Sequence, residues 1–286
     1  MATTLTFTTE DFDYLRHGDR AMAMRLFRPA GAGPFPVVID LHGGAWNKGA
    51  LGGCRERDEA FAEAGIAAAA IDFRQAADGY PTSLIDINYA TRWIKAEAGA
   101  LNLDAGRVAL SGQSSGGHLA ILSAMRPFDE RYASIPLAKG APDVDATVRC
   151  VGMSWPVINP LSRYRNALRT RAGEVPGPSD WVGDIPESHD RYWVNDENMT
   201  EGNPMLLLER GEKVHLPPAM WVQGRPDPVH DYRDPESPLD LNEPERFVEN
   251  YRAAGGDIEL VAIEQKNRYS PTSFEPLTAF FKKHLA

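Results

Sequence analysis

Residues 107–118 read RVALSGQSSGGH. The first half is a short apolar run closing on a glycine, the pattern of a buried strand; a helical pattern starts at Ser115. At the junction, Gly112 to Gly116 fit G-x-S-x-G with Ser114 at the centre. By chance such a five-residue pattern is common, but between a strand and a helix it has a physical meaning. A serine held in a strained turn projects its Oγ from the sheet edge, and the small residues on either side leave room for that turn. The N-terminus of the new helix points its free N–H groups at any negative charge that develops there. Ser114 is therefore the candidate nucleophile.

Outward from this stretch, apolar runs alternate with helical patterns. PVVIDLHG (36–43) and IAAAAIDFR (66–74) read as strands, with DEAFAEAG (58–65) as a glycine-terminated helix between them. SLIDINYATRWIKAEAG (83–99) sets Leu84, Ile87, Ala90 and Ile94 on one helical face. Beyond the serine, VRCVGMSWPV (148–157), PPAMWVQG (217–224) and IELVAIE (258–264) read as further strands, and FEPLTAFFKKHL (274–285) as a last amphipathic helix. This alternation predicts an α/β fold, a mostly parallel sheet flanked by helices. Residues 158–203 break the pattern, being rich in Arg, Pro, Gly, Asp and aromatics. They read as a long irregular loop forming a cap inserted into a single domain spanning 1–286.

The composition narrows the partners. Thirty Lys plus Arg stand against 40 Asp plus Glu, a net charge of −10 over 286 residues. Such a chain has no electrostatic reason to hold nucleic acid or an anionic membrane. No apolar run approaches the roughly 18 residues of a membrane helix, and the N-terminal stretch lacks the basic and apolar regions of a secretory signal. A cytoplasmic location is expected, with Cys54 and Cys150 as thiols and no metal site. The partner expected is a small-molecule substrate, and a homodimer is left open.

Ahead of the elbow, HGGAW (42–46) follows the strand PVVIDL. Successive glycines let the backbone turn its N–H groups toward a ligand, as an oxyanion hole requires. Gly43 and Gly44, with the N–H of Ser115, are the candidate donors. His42 reads as an organiser of the loop, and Trp46 as its packing or as a wall of an acyl pocket.

Together LHGGAW, GIAAAAIDFR, YPTSLIDINYATRWIKA and LSGQSSGGHLA resemble the α/β-hydrolase superfamily. More narrowly they resemble its hormone-sensitive-lipase-like and feruloyl-esterase-like branch, which includes arylformamidases with an HGG-x-W loop. The resemblance implies the α/β-hydrolase fold and hydrolysis of carboxylic esters, sometimes amides, through an acyl-enzyme with no cofactor. It also implies a catalytic acid after the strand PAMWVQG, in a G-x-x-D pattern that falls on Asp227; Asp231 and Asp234 are nearby competitors.

The same resemblance places a histidine shortly after IELVAIE, where this chain has Gln265-Lys266-Asn267-Arg268-Tyr269. Neither Asn267 nor Arg268 can accept a serine's proton. Three accounts are open. A base comes from elsewhere, His230 being nearest in sequence to Asp227 and His189 a weaker candidate. Or hydrolysis has been lost, leaving an impaired homologue that binds a bulky or aromatic ligand. Or position 267 or 268 carries a replacement. Against His230 stands its closeness to Asp227, which strains the usual line of acid, base and nucleophile. His118 reads as structural. In the cap, Trp181 and Trp193 are candidate substrate contacts, and its arginines would suit a carboxylate-bearing substrate.

Overall fold

The computed structural model describes residues 5–286; residues 1–4, part of the stretch read for a leader, lie outside it. In chain order the strands are β1 (Phe7–His17), β2 (Arg20–Pro29), β3 (Phe35–Leu41), β4 (Ala67–Ile71), β5 (Leu103–Gln113), β6 (Val151–Ser154), β7 (Ala219–Arg225) and β8 (Ile258–Glu264). The helices are α1 (Arg55–Glu63), α2 (Thr82–Glu97), α3 (Ser115–Met125), α4 (Pro160–Arg171), α5 (Ile185–Trp193), α6 (Asp196–Glu201), α7 (Pro204–Glu209), α8 (Glu243–Ala253) and α9 (Pro271–His284). The strands form one eight-stranded sheet in the order β1-β2-β4-β3-β5-β6-β7-β8. From β4 to β8 every pairing is parallel, while β1 and β2 join antiparallel at one edge.

Strand periodicity explains why the centre is so apolar. Val37 pairs with Ala67 and Leu41 with Ile71. Ala67, Ala69 and Ile71 face one hydrophobic cluster with Val37 and Ile39, while Ala68 and Ala70 face the other with Val38. A strand buried on both faces has no use for polar alternation. On the first face, α2 lays down Leu84, Ile87, Ala90 and Ile94, each fully buried. On the second, Phe61 of α1 meets Phe281 of α9 edge-on at 5.2 Å. Arg57 of α1 forks onto Asp40 of β3 at 2.6 and 2.9 Å, both residues buried. Removing either partner would strand a buried charge, at about 3–5 kcal/mol.

Two regions depart from the sequence expectation. The hairpin β1–β2 precedes the first strand read from the sequence, although β2 buries Met22, Met24, Leu26 and Phe27; Gly18, at φ +59°, opens its turn. Segment 158–203 is irregular only in part: it carries α4, α5 and α6, with residues 172–184 irregular between α4 and α5. Asn159 caps α4 by accepting the N–H of Ser162, Asn195 caps α6 by accepting that of Asn198, and Asn203 caps α7 by accepting that of Leu206. Asn followed by Pro at the first helical position, as in Asn159-Pro160 and Asn203-Pro204, is a helix start signal in its own right.

Candidate active site

Ser114 sits between β5 and α3 at φ +52° and ψ −119°, the strained conformation expected of an elbow. The backbone here is too tight for side chains at the flanking positions. A Cβ on Gly112 would lie 2.3 Å from the Gly116 carbonyl oxygen, and one on Gly116 would lie 2.2 Å from that of Leu41. The second approach presses the end of β3, and the loop after it, onto the start of α3.

That contact brings the 42–46 loop to the serine. A Cβ built on Gly43 would lie 3.4 Å from Ser114 Cβ. Gly44, at φ +115°, turns the chain so that its carbonyl accepts the N–H groups of Asn47 and Lys48, each at 3.0 Å. Among the described residues, the N–H groups of Gly43, Gly44 and Ser115 donate to no backbone carbonyl outside regular elements. His42 organises the loop: its Nδ1 lies 2.9 Å from the Gly43 carbonyl and its ring stacks on Phe73 at 4.4 Å.

The loop after β7 carries the rest. Ser114 Oγ lies 3.0 Å from His230 Nε2, and His230 Nδ1 lies 2.8 Å from Asp227 Oδ2. Close spacing in sequence proves no obstacle, because the chain turns between the two residues. The N–H groups of His230 and Asp231 both approach the Asp227 carbonyl, at 3.3 and 2.8 Å. The N–H of Val229 donates to Asp227 Oδ1 at 3.0 Å. This single turn sets side chains three apart on one side. Gln223 Nε2 donates to the same carboxylate at 3.1 Å, while its own Oε1 accepts the Trp221 indole N–H at 2.9 Å. Asp231 and Asp234 are engaged elsewhere, with Arg225 at 2.7 Å and Arg246 at 3.2 Å.

The electrostatics suit a base that starts neutral. Burial pushes the His230 imidazole down; the Asp227 carboxylate opposes this, Arg268 and Arg163 add to it, and the group lies at about 4. Burial pushes the Asp227 carboxyl up, but His230 and Arg268 outweigh it and hold the group at about 2. With Nδ1–H directed at Asp227, His230 Nε2 has its lone pair toward the serine.

The other histidines are occupied. Trp46 Nε1 can only donate, so His118 Nδ1 accepts from it at 3.2 Å and Nε2–H donates to the Gly202 carbonyl at 2.8 Å. Burial then pushes His118 down to about 4. His189 Nδ1 bonds the Ile185 carbonyl at 2.8 Å, and its ring packs edge-on to Trp46 at 5.1 Å. Trp46 and Trp193 are 1% and 0% exposed and meet at 5.2 Å. They anchor the inserted helices to the loop at 42–46 and offer no surface for substrate in this structure. Trp181 is partly exposed. Asn47 Nδ2 strengthens the anchor, donating to the Ser188 carbonyl at 2.6 Å.

Sequence spacing alone sets Arg268 where a base is sought. It does reach the site, with Nη1 3.6 Å from Asp227 Oδ2 and the guanidinium 4.4 Å from the Trp155 ring centre. A cavity of about 10 Å³ lies against His230, lined also by Val157, Arg163, Tyr232 and Glu243. A cavity of about 600 Å³ lies between α1 and α9 and touches none of these residues.

Known proteins resemble this chain in sequence and fold. The chain is similar to the probable carboxylic ester hydrolase LipM of Mycobacterium tuberculosis, at 34% identity over 102 residues, 35% of this chain and 24% of LipM. It is similar to the carboxylic ester hydrolase LipN of the same organism at 26% identity, over 82% of this chain and 57% of LipN. The chain thus spans less than two thirds of the length of either relative. Two solved structures share its fold. EstE1, a thermostable carboxylesterase cloned from a metagenomic library, superposes with a TM-score of 0.73 at 19% identity, covering 100% of this chain and 92% of its own. The esterase LipW of Mycobacterium marinum superposes with a TM-score of 0.70 at 22% identity, covering 98% and 81%. The BD-FAE family model matches residues 24–189, and the chain belongs to that family.

Proposed function

We propose that this chain is a serine hydrolase of carboxylic esters, with amides as related substrates, acting through an acyl-enzyme on Ser114. The observation that carries the reading is the relay from Ser114 Oγ to His230 Nε2 at 3.0 Å and from His230 Nδ1 to Asp227 at 2.8 Å. In the first step Oγ bonds to the substrate's carbonyl carbon and its proton passes to Nε2. The carbonyl π electrons move onto oxygen, where the N–H groups of Gly43, Gly44 and Ser115 are the available donors. As the carbonyl re-forms, the alcohol leaves and takes the proton from Nε2. Water then repeats the sequence on the acyl-serine, releasing the acid. Asp227 stays ionised throughout, fixing the tautomer and offsetting the charge that His230 acquires.

No base is missing in this reading, and none is drawn from the loop after β8. The impaired-homologue alternative rests on the want of a histidine near the serine, and loses its motive. Unpaired thiols at Cys54 and Cys150 support a reducing, cytoplasmic setting. No described helix is long and apolar enough to cross a membrane. The test is turnover of an activated short-chain aryl ester together with labelling by a fluorophosphonate. Both are expected in the unaltered chain and absent in Ser114→Ala. Turnover that survives Ser114→Ala refutes the nucleophile assignment.

A further inference from the structure

Two guanidiniums at this site have no part in the acyl-enzyme chemistry, and any role for them rests on the serine-hydrolase reading. Elsewhere buried arginines sit on carboxylates: Arg57 on Asp40, and Arg246 on Glu209, Asp234 and Glu243. Arg163 of α4 is just as buried, 3% exposed, yet its Nε has no partner among the described residues. It shares the cavity against His230 and stands 5.7 Å from the Trp46 ring centre. Arg268 is the second. Its Nε is also unpartnered, and its 3.6 Å approach to Asp227 is an ion pair without a hydrogen bond. Its side chain is 14% exposed, so part of the guanidinium opens to solvent, beside the exposed ring of Tyr269.

The charge balance is uneven. Asp227 contributes one negative charge near His230, and Arg163 and Arg268 contribute two positive ones; Glu243, which lines the same cavity, is pushed by burial toward its neutral form, to about 8, and bonds Arg246. Guanidiniums with unmet hydrogen bonds in a largely buried site are unfavourable. Attack by Ser114 would add a third positive charge, on His230. One negative group on the substrate would relieve both problems. A guanidinium's planar fork pairs best with a carboxylate, and an aromatic face such as Trp155 holds that fork in place.

We propose that the site takes esters bearing a free carboxylate, which Arg268 binds at the mouth while the charge of Arg163 reinforces the attraction from below. The loop after β8 thereby acts in substrate choice, with no part in proton transfer.

The experiment compares kcat/KM within two matched pairs. On the acyl side, para-nitrophenyl hemiglutarate is set against para-nitrophenyl valerate. On the alcohol side, para-acetoxybenzoate is set against its methyl ester. The charged member should win in at least one pair by about tenfold or more, mainly through KM. In Arg268→Gln that ratio should fall toward one, and in Arg268→Lys it should recover in part. Using the ratio cancels any general loss from disturbing Asp227. No charged preference in either pair overturns the proposal, as does a ratio unchanged in Arg268→Gln. Binding is measured separately, by calorimetry of benzoate and glutarate on Ser114→Ala with and without Arg268→Gln. Weakening of about tenfold supports the proposal and equal affinity overturns it, even if neither ester pair is turned over. Absence of all turnover with carboxylate binding intact refutes the hydrolase reading alone.

Discussion

Asp227→Asn tests the charge of the proposed catalytic acid, because either way the amide lies the carboxylate's negative charge is gone. Oδ2 faces two groups, His230 Nδ1 at 2.8 Å and Gln223 Nε2 at 3.1 Å, while Oδ1 accepts the Val229 N–H at 3.0 Å. Gln223 cannot turn over, since its Oε1 holds the Trp221 indole and its Nε2 also donates to the Gly224 carbonyl at 2.9 Å. An amide NH₂ on the His230 side would therefore oppose a fixed donor. Each pose thus sets NH₂ against one fixed donor: the Gln223 amide if it faces His230, the Val229 N–H if the amide oxygen stays toward His230 and Gln223. In the second pose the histidine tautomer survives and only the negative charge is lost. An opposite charge about 4 Å away, at an effective dielectric of about 20, is worth about 4 kcal/mol to the imidazolium formed during attack. That corresponds to about a 10³-fold fall in kcat. The other pose would impose the wrong tautomer and a fall of about 10⁴. The assay is aryl-ester turnover at neutral pH, with circular dichroism to confirm folding and a fluorophosphonate count of active serines. Retention of a tenth or more of wild-type kcat would refute the assignment of Asp227. So would a comparable loss in Asp231→Asn with Asp227→Asn little affected.

Two further outcomes are expected from the geometry. Burial holds His230 at about 4, so kcat/KM for a neutral ester should stay level as pH falls through 6.5 and drop only as His230 gains its proton near 4; an acid limb at or above 6.5 in folded protein would contradict this. Gly116→Ala would drive a methyl group to 2.2 Å from the Leu41 carbonyl oxygen, so the loop carrying Gly43 must move off the serine. Urea melts should show a loss of at least about 1–3 kcal/mol and turnover should fall by more than the unfolded fraction explains, while a variant matching wild type in both would show that the contact is slack.

What can be read from the sequence is whatever local pattern determines. The all-apolar strands, the face of α2 and the glycines around Ser114 are short-range features, and each appears where its pattern puts it. Long-range features do not announce themselves. Asp227 and His230 both stand out in the sequence, but three-residue spacing says nothing about whether the chain turns between them. Asp227-Pro228 does carry a turn signal, since Asp can bond its own backbone two residues on and Pro fixes φ. The helices of 158–203 are obscured by charge and proline, although Asn159-Pro160 marks a start as plainly as any apolar stripe. β1 leaves little trace because a polar edge strand buries little, whereas β2 lies inside the sheet and its buried Met22, Met24, Leu26 and Phe27 are a pattern the sequence does carry. Trp46 and Trp193 illustrate another limit: residue type cannot separate an aromatic that walls a pocket from one that pins two segments together.

The turn from Asp227 to His230 has a consequence for protein engineering. With the proposed acid and base carried by one tetrapeptide, residues 265–270 supply neither of them. In a chain whose base follows the last strand, randomising that loop destroys most clones before any substrate is tried. Here a combinatorial library over Gln265, Lys266, Asn267 and Tyr269 would leave every residue of the relay in place, and Arg268, which touches Asp227 at 3.6 Å, is the one position where a change also reaches the relay. The last loop of this fold is thus an evolvable handle, tied to the machinery it borders through Arg268, 3.6 Å from Asp227.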